Sequence, residues 1–289
     1  MNSLLLLSAL ALAPSAPVKE ELKAGPLTWK LAKGDKFYTK TTTTTAQTIT
    51  VMGNDMEQES EQVVFAKYEV LEAGDKGYTI EQTTQKMTSK GNAGTPDYGD
   101  KVKGAKLKFV LDKKFEVTKV EGLDDFVDKA SGGDEAAKGL LKAMLSEDSV
   151  KQNIAEMFTF GPAKDVKVGD SWKKESKFPL GPLGSFKIKN DYKLADGDKV
   201  TYKSDATFEL SKDEIPGLPF KVSAGELKSD EWSGEIAFDS KAGRLKSTSQ
   251  KAKLGGSLTI SVNGMEIELK LKMNITSDST LSDKNLADD

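Results

Sequence analysis

The hydrophobic positions of this chain recur mostly with a period of two. Ile267, Leu269, Leu271, Met273 and Ile275 alternate with Glu266, Glu268, Lys270, Lys272 and Asn274. Such a run predicts a strand with one buried and one wet face. Leu258, Ile260 and Val262 alternate in the same way, and Asn263-Gly264 separates the two runs. Asn-Gly favours a tight hairpin turn, because both central residues need positive φ. A second hairpin sets Phe186, Ile188, Tyr192 and Leu194 against Val200, Tyr202, Ala206, Phe208 and Leu210, with Asp196-Gly197-Asp198 between. A third joins Leu107, Phe109 and Leu111 to Phe115 and Val117 through Asp112-Lys113-Lys114. From Phe37 to Leu71 the pattern is again β-like, aided by β-branching in Thr41 to Thr45. Its apolar face is thin, with Phe37, Ile49 and Val51 in one arm and Val64, Tyr68 and Val70 in the other, around a turn at Met52-Gly53-Asn54-Asp55.

The period changes in the middle. Leu123, Phe126, Val127 and Ala130 have helical spacing, as do Leu140, Leu141, Met144 and Leu145, then Val150, Ile154, Met157 and Phe158. Asp134 and Ser146 suit N-caps. Two or three short helices are therefore expected between about Leu123 and Phe160.

The β regions on either side read as copies of one unit. Gly34-Asp35-Lys36-Phe37 opens the first and Gly169-Asp170-Ser171-Trp172 the second. Each continues to a Tyr-containing strand and an acidic turn, Tyr68 to Tyr78 against Tyr192 to Tyr202, and ends at an Asp-x-Lys turn, at Asp112 and Asp239. The expected fold is mainly β (α+β): a large curved antiparallel sheet or open half-barrel from two β-rich repeats, with the helical insert packing its three apolar stripes over one face. The expected organisation is a signal peptide over 1–16, a first repeat over 17–122, the insert over 123–162, and a second repeat with a C-terminal hairpin over 163–289.

The start of the chain supports export. Leu4 to Leu12 forms an apolar run of signal-peptide length, followed by small residues at Ala13, Ser15 and Ala16, after any of which cleavage is compatible. The n-region lacks Lys and Arg, so an uncleaved anchor or buried helix is the alternative. The run is short for a span, which needs about 20 residues. The expected location is periplasmic or extracellular. No other stretch suggests a transmembrane segment.

Composition narrows the chemistry. The chain of 289 residues contains no Cys and no His. Thiol nucleophiles, Cys/His zinc sites, imidazole-dependent triads and a lipid anchor on Cys are excluded. The net charge of -3, with signs interspersed, gives no field for nucleic acid. Asp124-Asp125, Asp134-Glu135 and Glu147-Asp148 fall at helix starts, where acids favour the helix dipole; Asp213-Glu214 is a further acidic pair. Asp196-Gly197-Asp198 and Gly74-Asp75 lack the alternating acids and terminal Glu of a calcium loop and read as turns. No residue stands out as catalytic, cofactor-binding or metal-ligating, and no cofactor is expected. Trp172, in the position of Phe37, reads as core.

The segments Lys33 to Phe37, Met52-Gly53, Leu111 to Gly122, Val168 to Trp172 and Phe238 to Leu245 resemble the K-G-D-x-[FY], M-G, L-D-x-K, V-G-D-S-W and F-D-x-K-x-G-R-L motifs of an uncharacterised family of exported bacterial proteins, a domain of unknown function. That resemblance implies no activity and no site residues. The layout is also similar to the open half-barrels of periplasmic lipoprotein carriers, which shelter acyl chains between sheet and helices. The expectation is an exported non-enzymatic protein holding a lipid or other hydrophobic ligand between a curved sheet and helices. The alternative is an envelope or extracellular interaction or structural protein that meets a partner protein through the long polar hairpin at Met52. A carboxylate-dependent hydrolase is a third reading.

Overall fold

The computed structural model describes residues 27–92, 98–162, 164–180, 183–196, 198–211, 221–262 and 264–288. The expected signal peptide, Asn263, Gly197, Gly181-Pro182, Asp213-Glu214 and the Ile215 to Pro219 segment lie outside them. The strands are β1 (Lys36–Val51), β2 (Asn54–Gly74), β3 (Gly77–Gly91), β4 (Lys106–Leu111), β5 (Val117–Glu121), β6 (Ser171–Pro179), β7 (Gly184–Asp196), β8 (Lys199–Leu210), β9 (Lys221–Asp239), β10 (Arg244–Val262) and β11 (Met265–Ser282). The helices are α1 (Gly99–Val102), α2 (Leu123–Ser131), α3 (Glu135–Met144) and α4 (Glu147–Thr159).

All eleven strands form one antiparallel sheet in the order β5-β4-β3-β2-β1-β11-β10-β9-β8-β7-β6. The chain starts at the centre, meanders to one edge, crosses through the helices to the opposite edge, and returns to pair β11 with β1. The alternation read from β11 holds: Leu269, Leu271, Met273 and Ile275 are half-buried, while Glu268, Lys270, Lys272 and Asn274 are exposed.

The sheet must be strongly curved. Tyr68 on β2 and Phe178 on β6 line one cavity, although seven strand spacings separate them. In a flat sheet that is roughly 34 Å. The edges β5 and β6, ten spacings or roughly 48 Å apart if flat, both pack against α4. A single helix is about 10–12 Å across. Among the described residues the two edges are not paired to each other, so the sheet is an open half-barrel with α4 in its gap.

The main core fills one end of this half-barrel. Phe37, Ile80, Phe109, Leu111, Leu194 and Phe238 are almost fully buried there, joined by Trp29 and by Phe158 and Phe160 from the end of α4. A second cluster, around Phe186, Leu227, Trp232, Leu254 and Leu258, fills only the β6–β11 half at the other end. Each fully buried side chain of this kind contributes about 1.5–3 kcal/mol.

The two copies share local hydrogen bonding. Gly34 N–H donates to Val70 O at 2.8 Å and Val70 N–H to Asp35 O at 2.9 Å. In the second copy Gly169 donates to Leu194 at 2.8 Å and Leu194 to Asp170 at 3.0 Å. The Asp35 carboxylate accepts from Ala32 N–H at 3.0 Å, as that of Asp170 does from Lys167 N–H at 2.9 Å. Phe37 stacks on Tyr68 (centroids 4.8 Å), and Trp172 on Tyr192 (5.5 Å). The paired arms run further before the acidic turn in the first copy, so Val70 pairs with Ile80 where Leu194 pairs with Val200. Gln82, not Tyr78, therefore occupies the place of Tyr202.

Two further expectations are corrected. Phe115 is not a strand residue: it sits at φ 64 in the β4–β5 turn, where the Asp112 carboxylate accepts from the N–H groups of Lys114 and Glu116. Its ring still reaches the core and stacks on Tyr78. The insert also does not cover the sheet with three stripes. Helix α3 buries none of its residues, and Leu140 and Met144 stay 43% and 54% exposed. Helix α2 buries Val127 and Ala130, while α4 alone spans both edges.

Gly264 lies at φ 81, and a Cβ added there would meet no atom within 4 Å, so only backbone strain opposes a side chain. Gly77, at φ 116, would place a Cβ 2.0 Å from Leu111 O. Gly264→Val is expected to lose about 1–2 kcal/mol. Gly77→Ala should lose about 3 kcal/mol or more, since strain and overlap add. Denaturant melts of the two variants against the parent check both the sizes and their order.

Candidate functional site

The site begins with small hydroxylated residues at inward positions. Thr39 and Thr41 on β1, Ser277 and Ser279 on β11, and Thr248 on β10 occupy places that large apolar residues would otherwise fill. Thr41 and Ser279 share a hydrogen bond of 2.8 Å across the β1–β11 pair, and Thr43 and Ser277 one of 3.2 Å. These rungs satisfy the hydroxyls locally, so they cost little in the interior. The rest of the lining is largely aromatic: Tyr68 beside Thr39, then Phe160, Phe178, Tyr192, Tyr202 and Trp232. Small residues beside rigid aromatic ones leave a cavity of about 250 Å³ between the sheet and α4.

Helix α4 is fixed over this cavity by its last turn. A helix ends with unsatisfied carbonyls. Here Trp29 Nε1–H donates to Met157 O at 3.1 Å and Trp172 Nε1–H to Phe160 O at 3.0 Å. Lys174 Nζ donates to both Thr159 O and Thr159 Oγ1. The donors come from the segment before β1 and from β6. Their N–H groups and positive charge suit the negative end of the helix dipole. At the other end, Ser146 Oγ accepts from Ser149 N–H, as its N-cap position predicts.

This placement puts Glu156 among the lining residues of the cavity, although the residue as a whole stays exposed. Burial pushes its carboxyl above the usual carboxylate range, opposed by the Ser176 hydroxyl and the charge of Lys174. Lys174 is shifted downward, first by its own burial, with Glu156 and Glu116 opposing. The hydroxyls of Tyr192 and Tyr202 are pushed well up, by burial first and by the Glu156 charge second. Tyr68 is pushed up to about 12 by burial, with a hydrogen bond to Thr39 opposing. Tyr202 Oη–H donates to Gln250 Oε1 at 3.3 Å, and Asn190 bridges Ser176 and Ser204.

Sequence reasoning singled out no site residue, and Glu156 was not among the acids it weighed. The acids it examined at Asp124-Asp125, Asp134-Glu135 and Glu147-Asp148 lie in the first or capping turns of α2, α3 and α4, away from this cavity. Trp172 and Trp29 serve the core and the end of α4, while Trp232 lines the cavity. One weak signal was present. Ser149, Gln152, Glu156 and Phe160 share a face of α4 beside the apolar stripe, and Ser149 and Phe160 are buried.

The fold and cavity define an open antiparallel half-barrel with a helix in its gap. A family described only as one of unknown function, DUF6263, matches residues 35–243, and the chain belongs to it. The match runs from the first Gly-Asp turn to the end of the Asp239 turn. No curated protein matches the chain. Among solved structures it is similar to lipovitellin, described for its lipid–protein interactions, at 7% identity and TM-score 0.48, covering 88% of this chain but only 25% of that one. It is also similar to DynF from the dynemicin biosynthesis pathway of Micromonospora chersina (8% identity, TM-score 0.20, 92% of each chain). A third is OccK5 of Pseudomonas aeruginosa (8% identity, TM-score 0.25, 87% of this chain and 100% of that one). At these scores the likenesses carry no functional inference.

A carboxyl held above its usual range binds its proton more tightly in the folded protein than in the unfolded chain. Stability therefore falls as pH rises from the ordinary carboxylate range, and the penalty is complete once pH exceeds the raised value. Glu156→Gln is expected to raise the denaturation midpoint at pH 7, and the gain should vanish below the ordinary carboxylate range. Urea melts of both proteins across that range check the sign.

Proposed function

We propose that this is an exported, non-catalytic binding protein that holds a lipid or another hydrophobic ligand between its curved sheet and α4. The observation that carries the reading is the cavity: about 250 Å³, walled by aromatic side chains and closed by a helix rather than filled. Its lining combines these rings with hydroxyl and amide groups, and concave sites of mixed apolar surface and placed polar groups are the usual form of small-molecule sites. The apolar surface continues beyond it. Leu269, Leu271 and Met273 on β11, with Ile49 and Val51 on β1, are only half-buried along the inner face past the helices. A chain or ring system could lie along that face. Among the described residues no helix is long and apolar enough to cross a membrane, a statement that does not bear on strands. Export to the periplasm or the outside follows from the apolar N-terminal run and belongs to this proposal.

A second reading has its own observation. Met52, at the tip of the β1–β2 hairpin, is 80% exposed, and Met265, beside the neighbouring β10–β11 turn, is 65% exposed. Flexible methionines at protruding tips suit contact with a partner protein.

Native mass spectrometry of the protein purified from its own envelope separates the two. The binding reading expects an added noncovalent mass that organic extraction removes. A bare protein mass before and after extraction, with a partner lost on deleting residues 51–54, would favour the hairpin reading instead.

A further inference from the structure

The charge of the cavity says more about its occupant. Among the described residues its lining contains Glu156 but no Lys or Arg. The nearest inward cation of β6, Lys174, directs its Nζ to Thr159 at the end of α4. The carboxylate thus faces a space bounded by aromatic rings. Tyr192 and Tyr202 stand with centroids 5.4 Å apart, and Trp232 and Phe178 meet edge to face at 5.4 Å. An aromatic wall around a single acid attracts a cation twice: through the negative faces of the rings and through the carboxylate. It disfavours an anionic head, which would lose its water beside a negative charge. Alkyl groups on the cation would also be accommodated by the rings. The half-buried apolar face of β11 then offers a path for the tail.

We propose that the cavity is a headgroup site for a cationic amphiphile, an alkylated ammonium or protonated amine on a hydrophobic body, with Glu156 as its counter-ion and the rings of Tyr192, Tyr202 and Trp232 as its cage. This rests on the hydrophobic-ligand reading above and adds the chemistry of the head. It also gives a role to Glu156, the one acid among the lining residues.

The test is displacement of a neutral fluorescent probe, N-phenyl-1-naphthylamine, from the full-length mature protein. The competitors share one tail and stay below their micellar concentrations: dodecyltrimethylammonium, dodecyl sulfate and dodecyl maltoside. The expected result is that the ammonium compound displaces the probe at a concentration at least about tenfold lower than the sulfate. In Glu156→Gln the preference, taken relative to that variant's own probe affinity, should shrink to within about twofold. Equal displacement by all three heads in the parent protein, or a cationic preference that survives Glu156→Gln, overturns the headgroup assignment while leaving the hydrophobic site in place. A parent protein that does not bind the probe at all removes the hydrophobic site itself.

Discussion

The last turn of α4 is the point on which the molecule depends. Three donors, Trp29, Trp172 and Lys174, reach its terminal carbonyls from the segment before β1 and from β6. Phe158 and Phe160 from the same turn enter the main core, against Trp29 and Phe115 on one side and Phe238 on the other. An open sheet with one apolar face has two liabilities, the face itself and its unpaired edges. Placing one helix against both edge strands addresses both, and it bends two distant edges toward a common axis. The chain path allows this because the meander ends at one edge, passes through α4, and restarts at the other.

The cavity follows from the same arrangement. Tyr192, Tyr202 and Trp232 line the space together with Glu156 and Met157 of α4, and the hydroxylated residues of β1 and β11 are too small to fill what remains. A sequence selected only for packing would place Leu or Phe at several of those positions, since close packing is the ordinary state of interiors. Thr41, Ser277 and Ser279 instead form hydrogen-bonded rungs that line the space. Its lining includes one carboxylate, that of Glu156, on a residue that keeps exposed surface. The void works against stability, and the proposed binding role accounts for it.

Much of the fold was legible because its determinants are local. The alternation of β11, the Met52-Gly53 turn and the caps at Asp134 and Ser146 follow from periodicity and turn chemistry within a few residues. The repeat was legible through the Gly-Asp turns, whose hydrogen bonds are the same in both copies. What stayed hidden depends on distant partners. The stripe of α3 reads like those of α2 and α4 but buries none of its residues. Phe115 continues a strand pattern, yet the carboxylate of Asp112 holds it in a turn. The thin apolar face of β1 gave no sign that Thr39 and Thr41 line the cavity. Glu156 carries almost no local signal, because only the curvature of the sheet brings Tyr192, Tyr202 and Ser176 around it.

The bridging role of α4 is most directly tested by amide hydrogen exchange on Phe158→Ala, a substitution expected to cost about 3–5 kcal/mol. If one helix holds both edges, exchange should accelerate together in β4–β5 and in β6–β7, which are distant in sequence, while β1 and β11 at the centre keep their protection. Acceleration confined to α4 and one edge would show that the two halves stand independently and that the helix does not close the half-barrel.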